Sequence, residues 1–216
     1  MPRWMAGMYL SLFGWKLLGS PPDLKKYIIL AAPHTSNWDA VNMLAMAAMY
    51  RIRIQWVGKH TLFKWPLGGF MQWVGGVPVD RRSRQNSVQQ LAAEFSRREE
   101  LKLAITPEGT RGRAEFWKSG FYFIACEAKV PIVLGLLDYK RKVGGLYEVI
   151  HPTGDILQDM EKIRQFYDGA RGKYPDDFGP IRLREELSEL QPPSKLQPPS
   201  KPQPQCAQND SMVPKH

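Results

Sequence analysis

His34 precedes Asp39 by five residues in the stretch Pro33-His34-Thr35-Ser36-Asn37-Trp38-Asp39. On one continuous helix their side chains would lie about 140° apart, so they meet only if His34 comes before a helix and Asp39 occupies its first turn. The sequence supports that placement, because the apolar run Tyr27–Ala32 reads as a buried strand and the Ala/Met/Leu-rich run 38–50 as a buried helix. In that geometry Asp39 holds one imidazole nitrogen and leaves the other as a general base for a hydroxyl. The pair includes no protein nucleophile, which suits direct attack by a substrate alcohol on an activated acyl group. Ser36-Asn37-Trp38-Asp39 reads equally well as a helix N-terminal cap in which Asp39 satisfies backbone amides; the two roles are compatible.

A second cluster, Thr106-Pro107-Glu108-Gly109-Thr110-Arg111-Gly112-Arg113, follows the apolar strand 101–106. Glycine permits close backbone approach, Thr110 offers a hydroxyl, and arginine presents a planar fork matched to phosphate oxygens. A phosphate-binding loop and an ordinary exposed turn both fit this composition. A third run, Gly75 to Arg82, ends in Asp80-Arg81-Arg82 after a short strand and is preceded by Lys59. Phe63, Trp65, Phe70 and Trp73 lie between them, as core or membrane-facing packing.

The elements that position these clusters alternate in type. Strands are expected at 27–32, 52–57, 77–79, 101–106, 132–137 and 146–150, and helices at 38–50, 86–99, 118–129 and 159–170. This is an α/β fold with a mostly parallel sheet flanked by helices, its functional groups on loops leaving strand ends. With 216 residues, 43% of them hydrophobic, the chain has one substantial domain, expected over residues 21–190. Residues 1–20, with Trp4, Met5, Met8, Leu12, Phe13 and Trp15 between Arg3 and Lys16, are too short to span a bilayer and read as an N-terminal helix lying in the membrane interface. Packing of the same helix against its own domain is the alternative. Residues 191–216 hold seven of the 18 prolines and repeat Gln-Pro-Pro-Ser-Lys, a composition expected to stay disordered.

The net charge of +9 favours an anionic partner: a membrane surface, a phosphorylated substrate or nucleic acid. The tail carries three Lys and one Asp, so about seven of those charges belong to the rest. No HExxH, GxSxG, Walker-type or GxGxxG motif is present, and Cys126 and Cys206 make neither a CxxC pattern nor a disulfide framework.

Taken in order, the clusters resemble the glycerolipid acyltransferase family typified by lysophosphatidate acyltransferase. His34 and Asp39 match its HxxxxD motif, Gly76 to Arg81 its second, Pro107-Glu108-Gly109-Thr110-Arg111 its third, and Val130-Pro131-Ile132 its fourth, while Lys59 matches the lysine before Leu-Phe. The likeness runs from about Lys25 to Leu137. It departs at Pro78, Thr106 and Gly112, where the family often has an aromatic, Phe and Ser. The resemblance implies acyl transfer from acyl-carrier protein or coenzyme A to the free hydroxyl of a lysophosphatidate-like acceptor, in phospholipid biosynthesis at the cytoplasmic face of the membrane. His34 would be the base and Asp39 its partner. Lys59, Arg81 and Arg111 would hold the acceptor phosphate, Gly109 and Thr110 would shape the loop, and Glu108 would fix an arginine or the acceptor. No metal, tightly bound cofactor or nucleic acid is implied. A non-catalytic basic membrane adaptor would use the same charge and aromatic helix without His34 and Asp39, and a different lysolipid or glycerol-like acceptor would suit the same pair.

Overall fold

Tyr27-Ile28-Ile29-Leu30 is an unbroken apolar run, and such a strand needs cover on both faces. In the computed structural model, which describes residues 1–190 apart from 67, 74 and 80–83 and omits the side chains of 59, 62, 84, 85 and 188–190, it forms β2 (Lys26–Ala32) at the centre of a seven-stranded sheet. The other strands are β1 (Lys16–Gly19), β3 (Gln55–Lys59), β4 (Gly76–Val79), β5 (Leu101–Ile105), β6 (Ile132–Asp138) and β7 (Val143–Ile150), in the order β1-β7-β6-β2-β5-β3-β4. Every neighbouring pair is parallel except β6 and β7. The mostly parallel α/β expectation therefore holds, with one antiparallel hairpin at the β7 side.

Alternate β2 side chains feed two cores. Ile28 and Leu30 join Leu91, Phe95, Phe121, Ile124, Met160 and Tyr167 on the face covered by α4 (Arg84–Arg97), α5 (Gly120–Ala128) and α6 (Ile156–Tyr167). Tyr27 and Ile29 join Ala47 and Val133 on the face covered by α2 (Trp38–Tyr50). A third cluster, Ala6, Leu10, Trp15, Ala45 and Met46, seats α1 (Arg3–Leu12) on α2. Helix α3 (Gly68–Trp73) and the short α7 (Glu185–Leu190) complete the α-helices of the described residues.

Several boundaries differ from the pattern of apolar residues, each for a local reason. Helix α1 stops at Leu12 rather than running to residue 20: Gly14 takes φ +70°, the Trp15 amide donates to Leu10 O at 2.7 Å, and Lys16–Gly19 then enters the sheet as β1. Strand β3 starts at Gln55 because the Arg51 and Ile52 amides turn back onto Ala48 and Ala47 at the end of α2. Helix α6 begins earlier than 159, since Asp155 accepts from the Leu157 and Gln158 amides. Strand β1 also lies very close to β7: a Cβ on Gly19 would stand 1.9 Å from Leu146 O, and one on Gly145 1.8 Å from Leu18 O. The proline-rich stretch from residue 191, with Cys206, lies outside the described residues.

The β6–β7 register slips between Val133 and Gly135, and the buried Tyr167 hydroxyl sits 3.0 Å from Gly135 O and 2.5 Å from Leu30 O. Its one proton serves two buried carbonyls. Removing a buried donor costs about 1–3 kcal/mol, so Tyr167→Phe is expected to lower stability by that amount in urea unfolding, and an unchanged midpoint would show these carbonyls satisfied without it.

Candidate active site

Three adjacent parallel strands, β6, β2 and β5, release their loops at the same sheet edge, the usual place for chemistry in an open α/β sheet. β2 delivers His34, β5 delivers Glu108 and β6 delivers Tyr139. His34 leaves β2 through Pro33, while Asp39 lies in the first turn of α2. The Asp39 carboxylate, 3% exposed, curls back over the connection. Its Oδ2 accepts from the Thr35 amide at 2.9 Å and the Ser36 amide at 2.8 Å, and lies 3.2 Å from His34 Nδ1. Oδ1 accepts from the Tyr139 hydroxyl at 2.7 Å. The Asp39 carboxylate thus organises the helix entry and also faces the imidazole. With Nδ1 committed to Asp39, Nε2 is the nitrogen left for a substrate.

Glu108 is buried beneath the histidine, where its Oε1 accepts from the His34 amide at 2.9 Å. Among the described residues its Oε2 has no partner. Burial pushes this carboxyl up to about 6, and the nearby Asp39 adds to the rise; the backbone amides it accepts from and the neighbouring His34 oppose it. Glu108 therefore props His34 through its backbone amide. Burial and the bond to Asp39 raise the Tyr139 phenol far above the ordinary range, so it remains a donor.

Arg111 reaches across to the motif of the histidine, where its guanidinium bonds Asn37 Oδ1. Gly109 takes φ +67°, and a Cβ there would meet Lys118 Nζ at 2.5 Å. Thr110 is exposed and accepts from the Gly112 amide through its hydroxyl. A cleft of about 1210 Å³ opens beside these groups, lined by the polar His34, Asp39, Lys118 and Arg184 together with Gly109, and by the apolar Met43, Leu44, Ile54, Trp56, Leu91, Phe121 and Ile124. The structure thus brings His34, Asp39, Gly109 and Glu108 together and joins Arg111 to them through Asn37. Lys59 belongs to β3 but its side chain lies outside the description, and Arg81 lies outside the described residues altogether.

Tyr139, Lys118 and Arg184 escaped the sequence reading. Lys118 carried a weak signal as the cation preceding a helix close after the Glu108–Arg111 loop. Tyr139 carried only its position at the end of a buried strand.

A mostly parallel sheet with an imidazole, a carboxylate and an apolar cleft at its carboxyl edge defines a class, and comparison places the chain within it. A sequence model of the Acyltransferase family matches residues 20–133. The chain belongs to that family. It is 31% identical over 111 residues to human (Homo sapiens) 1-acyl-sn-glycerol-3-phosphate acyltransferase beta, a match covering 49% of this chain and 39% of the human protein. The chain therefore spans well under half the length of that relative. The fold is similar to the crystal structure of the 1-acyl-sn-glycerophosphate acyltransferase PlsC from Thermotoga maritima, with a TM-score of 0.52 and 16% identity over 87% of this chain and 77% of the other.

The raised Glu108 carboxyl makes stability depend on pH. Folding favours the protonated form, so its contribution is full below the ordinary value of 4.5 and is lost as pH rises through about 6. At neutral pH the buried carboxylate costs about 2 kcal/mol relative to the acid. Glu108→Gln, which keeps the acceptor for His34, is expected to gain about that much on the native protein between pH 4.5 and 7 in urea unfolding; parallel pH profiles would show that Glu108 does not titrate in this window.

Proposed function

We propose that this protein moves an acyl group from a thioester, on acyl-carrier protein or coenzyme A, to the free hydroxyl of a lysophosphatidate-like acceptor. The observation that carries the reading is the His34–Asp39 pair in the wall of a largely apolar cleft. His34 Nε2 takes the acceptor hydroxyl proton as the oxygen attacks the thioester carbonyl carbon. Asp39 stabilises the imidazolium so formed. The carbon–sulfur bond then breaks and the imidazolium returns the proton to the departing thiolate. General-base catalysis of this kind is worth about 10²–10⁴-fold.

The cleft's polar and apolar parts divide the substrates. Its apolar lining suits hydrocarbon, while Lys118 and Arg184 in the wall and Arg111 nearby supply positive charge for the acceptor's phosphate. Lys59 and Arg81 would add to that charge. Glu108 and Gly109 hold the loop in shape, and Thr110 braces it from the solvent side.

The acceptor and product are lipids, and the surface suits the edge of a bilayer. Trp4 is 70% exposed, Trp65 93% and Trp73 82%, with Met8, Leu12 and Phe70 also outward. On α2, Trp38, Val41 and Leu44 extend the apolar surface beside α1, and Lys173 lies 5.2 Å from the Trp38 ring. Among the described residues no helix is long and apolar enough to cross a membrane. Aromatic and aliphatic side chains with flanking cations favour the headgroup layer, so peripheral attachment at the cytoplasmic face fits the reaction.

Incubated with an acyl thioester and lysophosphatidate in vesicles, the wild type is expected to release thiol and form diacyl product. His34→Ala should reduce this about 10²–10⁴-fold or more without loss of vesicle binding. Undiminished thiol release from that variant would remove His34 as the base, and free fatty acid in place of acylated lipid would make the enzyme a hydrolase.

A further inference from the structure

A chain of hydrogen bonds leads from the catalytic pair to the N-terminal helix, and none of its members beyond Asp39 was visible as a functional residue. The Tyr139 hydroxyl donates to Asp39 Oδ1 at 2.7 Å, Asn42 Nδ2 donates to the Tyr139 oxygen at 2.9 Å, and the Tyr9 hydroxyl donates to Asn42 Oδ1 at 2.9 Å. Donor and acceptor inventories fix the direction of every link. A carboxylate only accepts, so the single Tyr139 proton must point to Asp39. The Tyr139 oxygen is then left as an acceptor, which turns the Asn42 amide so that its NH₂ faces Tyr139. The remaining Asn42 oxygen can take only a donor, and Tyr9 supplies one. All three dipoles therefore present their positive ends towards the buried carboxylate.

The surroundings hold this chain in place. Asn42 is 1% exposed. The Tyr139 ring meets Trp15 edge-on with centroids 4.9 Å apart, its amide donates to Arg171 O at 2.8 Å, and the Lys142 ammonium stands 5.8 Å from its centroid. Tyr9 belongs to α1 and Trp15 to the turn that follows it, so both side chains that brace Asn42 and Tyr139 from outside come from the N-terminal segment.

We propose that Tyr139 is a positioning residue for the His34–Asp39 pair, backed by Asn42 and Tyr9, so that seating of α1 sets the orientation of the catalytic base. The inference rests on the acyl-transfer reading for its kinetic consequences. Without the phenol, Oδ1 is a buried acceptor with no donor, and the carboxylate regains one only by rotating. Rotation takes Oδ2 away from the Thr35 and Ser36 amides and from His34 Nδ1, and the imidazole loses what selects its tautomer.

The test uses the full chain on vesicles with an acyl thioester and lysophosphatidate, together with the ring-nitrogen NMR signals of histidine in ¹⁵N-labelled protein, the His34 signals being identified by their loss in His34→Ala. Tyr139→Phe keeps the ring against Trp15 and deletes only the hydroxyl. It is expected to lower kcat about ten- to a hundred-fold, to leave KM for both substrates within about two-fold, and to turn the single His34 tautomer into a mixture. Both kcat and the tautomer signals must change; if either stays as in the wild type, the proposal is overturned. Tyr9→Phe is expected to lower kcat about two- to five-fold, and an unchanged kcat would remove α1 from the chain. Wild type that forms no acylated lipid would sink the acyl-transfer reading instead, and the tautomer signals of Tyr139→Phe would then decide the positioning role by themselves.

Discussion

A carboxylate almost out of reach of water must be paid for in hydrogen bonds, and Asp39 is where this structure meets that cost. Two backbone amides, one phenol and one imidazole converge on its two oxygens. The amides come from the connection between β2 and α2, so the same contacts that offset the buried charge also set where the helix begins and where the imidazole stands. The place of the imidazole and the chain path are thus fixed by one group. A shift of the helix entry by a single residue would separate the histidine from its partner and leave the carboxylate without donors.

The sheet supplies what the loop alone lacks. β6 and β5 flank β2 in parallel, and each contributes a side chain from its carboxyl end, Tyr139 against Asp39 on one side and Glu108 beneath the His34 backbone on the other. His34 is thus fixed directly by Asp39 and Glu108 and indirectly by Tyr139, and it lines the cleft. Glu108 has a different character from Asp39: one of its oxygens lacks a partner among the described residues, and burial raises its proton affinity. Two carboxylates near one imidazole are thereby set apart, one surrounded by donors and one poorly supplied with them.

How much of this was legible in the chain follows from the range of the interactions. The His34–Asp39 geometry spans five residues and is marked by a change from an unbroken apolar run to a helical one, so it could be located before any coordinates. The strand–helix alternation and the parallel sheet were legible for the same reason. The Tyr139 bond to Asp39 crosses 100 residues and exists only because β6 lies beside β2; no local pattern encodes that neighbour relation. Glu108 could be singled out but its role could not, because burial rather than spacing decides whether it meets an arginine or a backbone amide. β1 was hidden inside a longer aromatic run. Its four residues carry no alternation of their own, and the glycine that ends α1 looked like any other glycine until its positive φ was seen.

The close approach of β1 and β7 has its own consequence. Where Gly19 and Gly145 face the opposite rail, neither backbone leaves space for even a methyl group, so main-chain atoms set the distance between these two rails, with the Tyr50 hydroxyl bridging Leu18 and Leu146 across it. Outward side chains such as Leu18 are free to change without altering that spacing. The opening nineteen residues are in effect stitched to the terminal hairpin of the sheet, and a displacement of one edge carries the other with it.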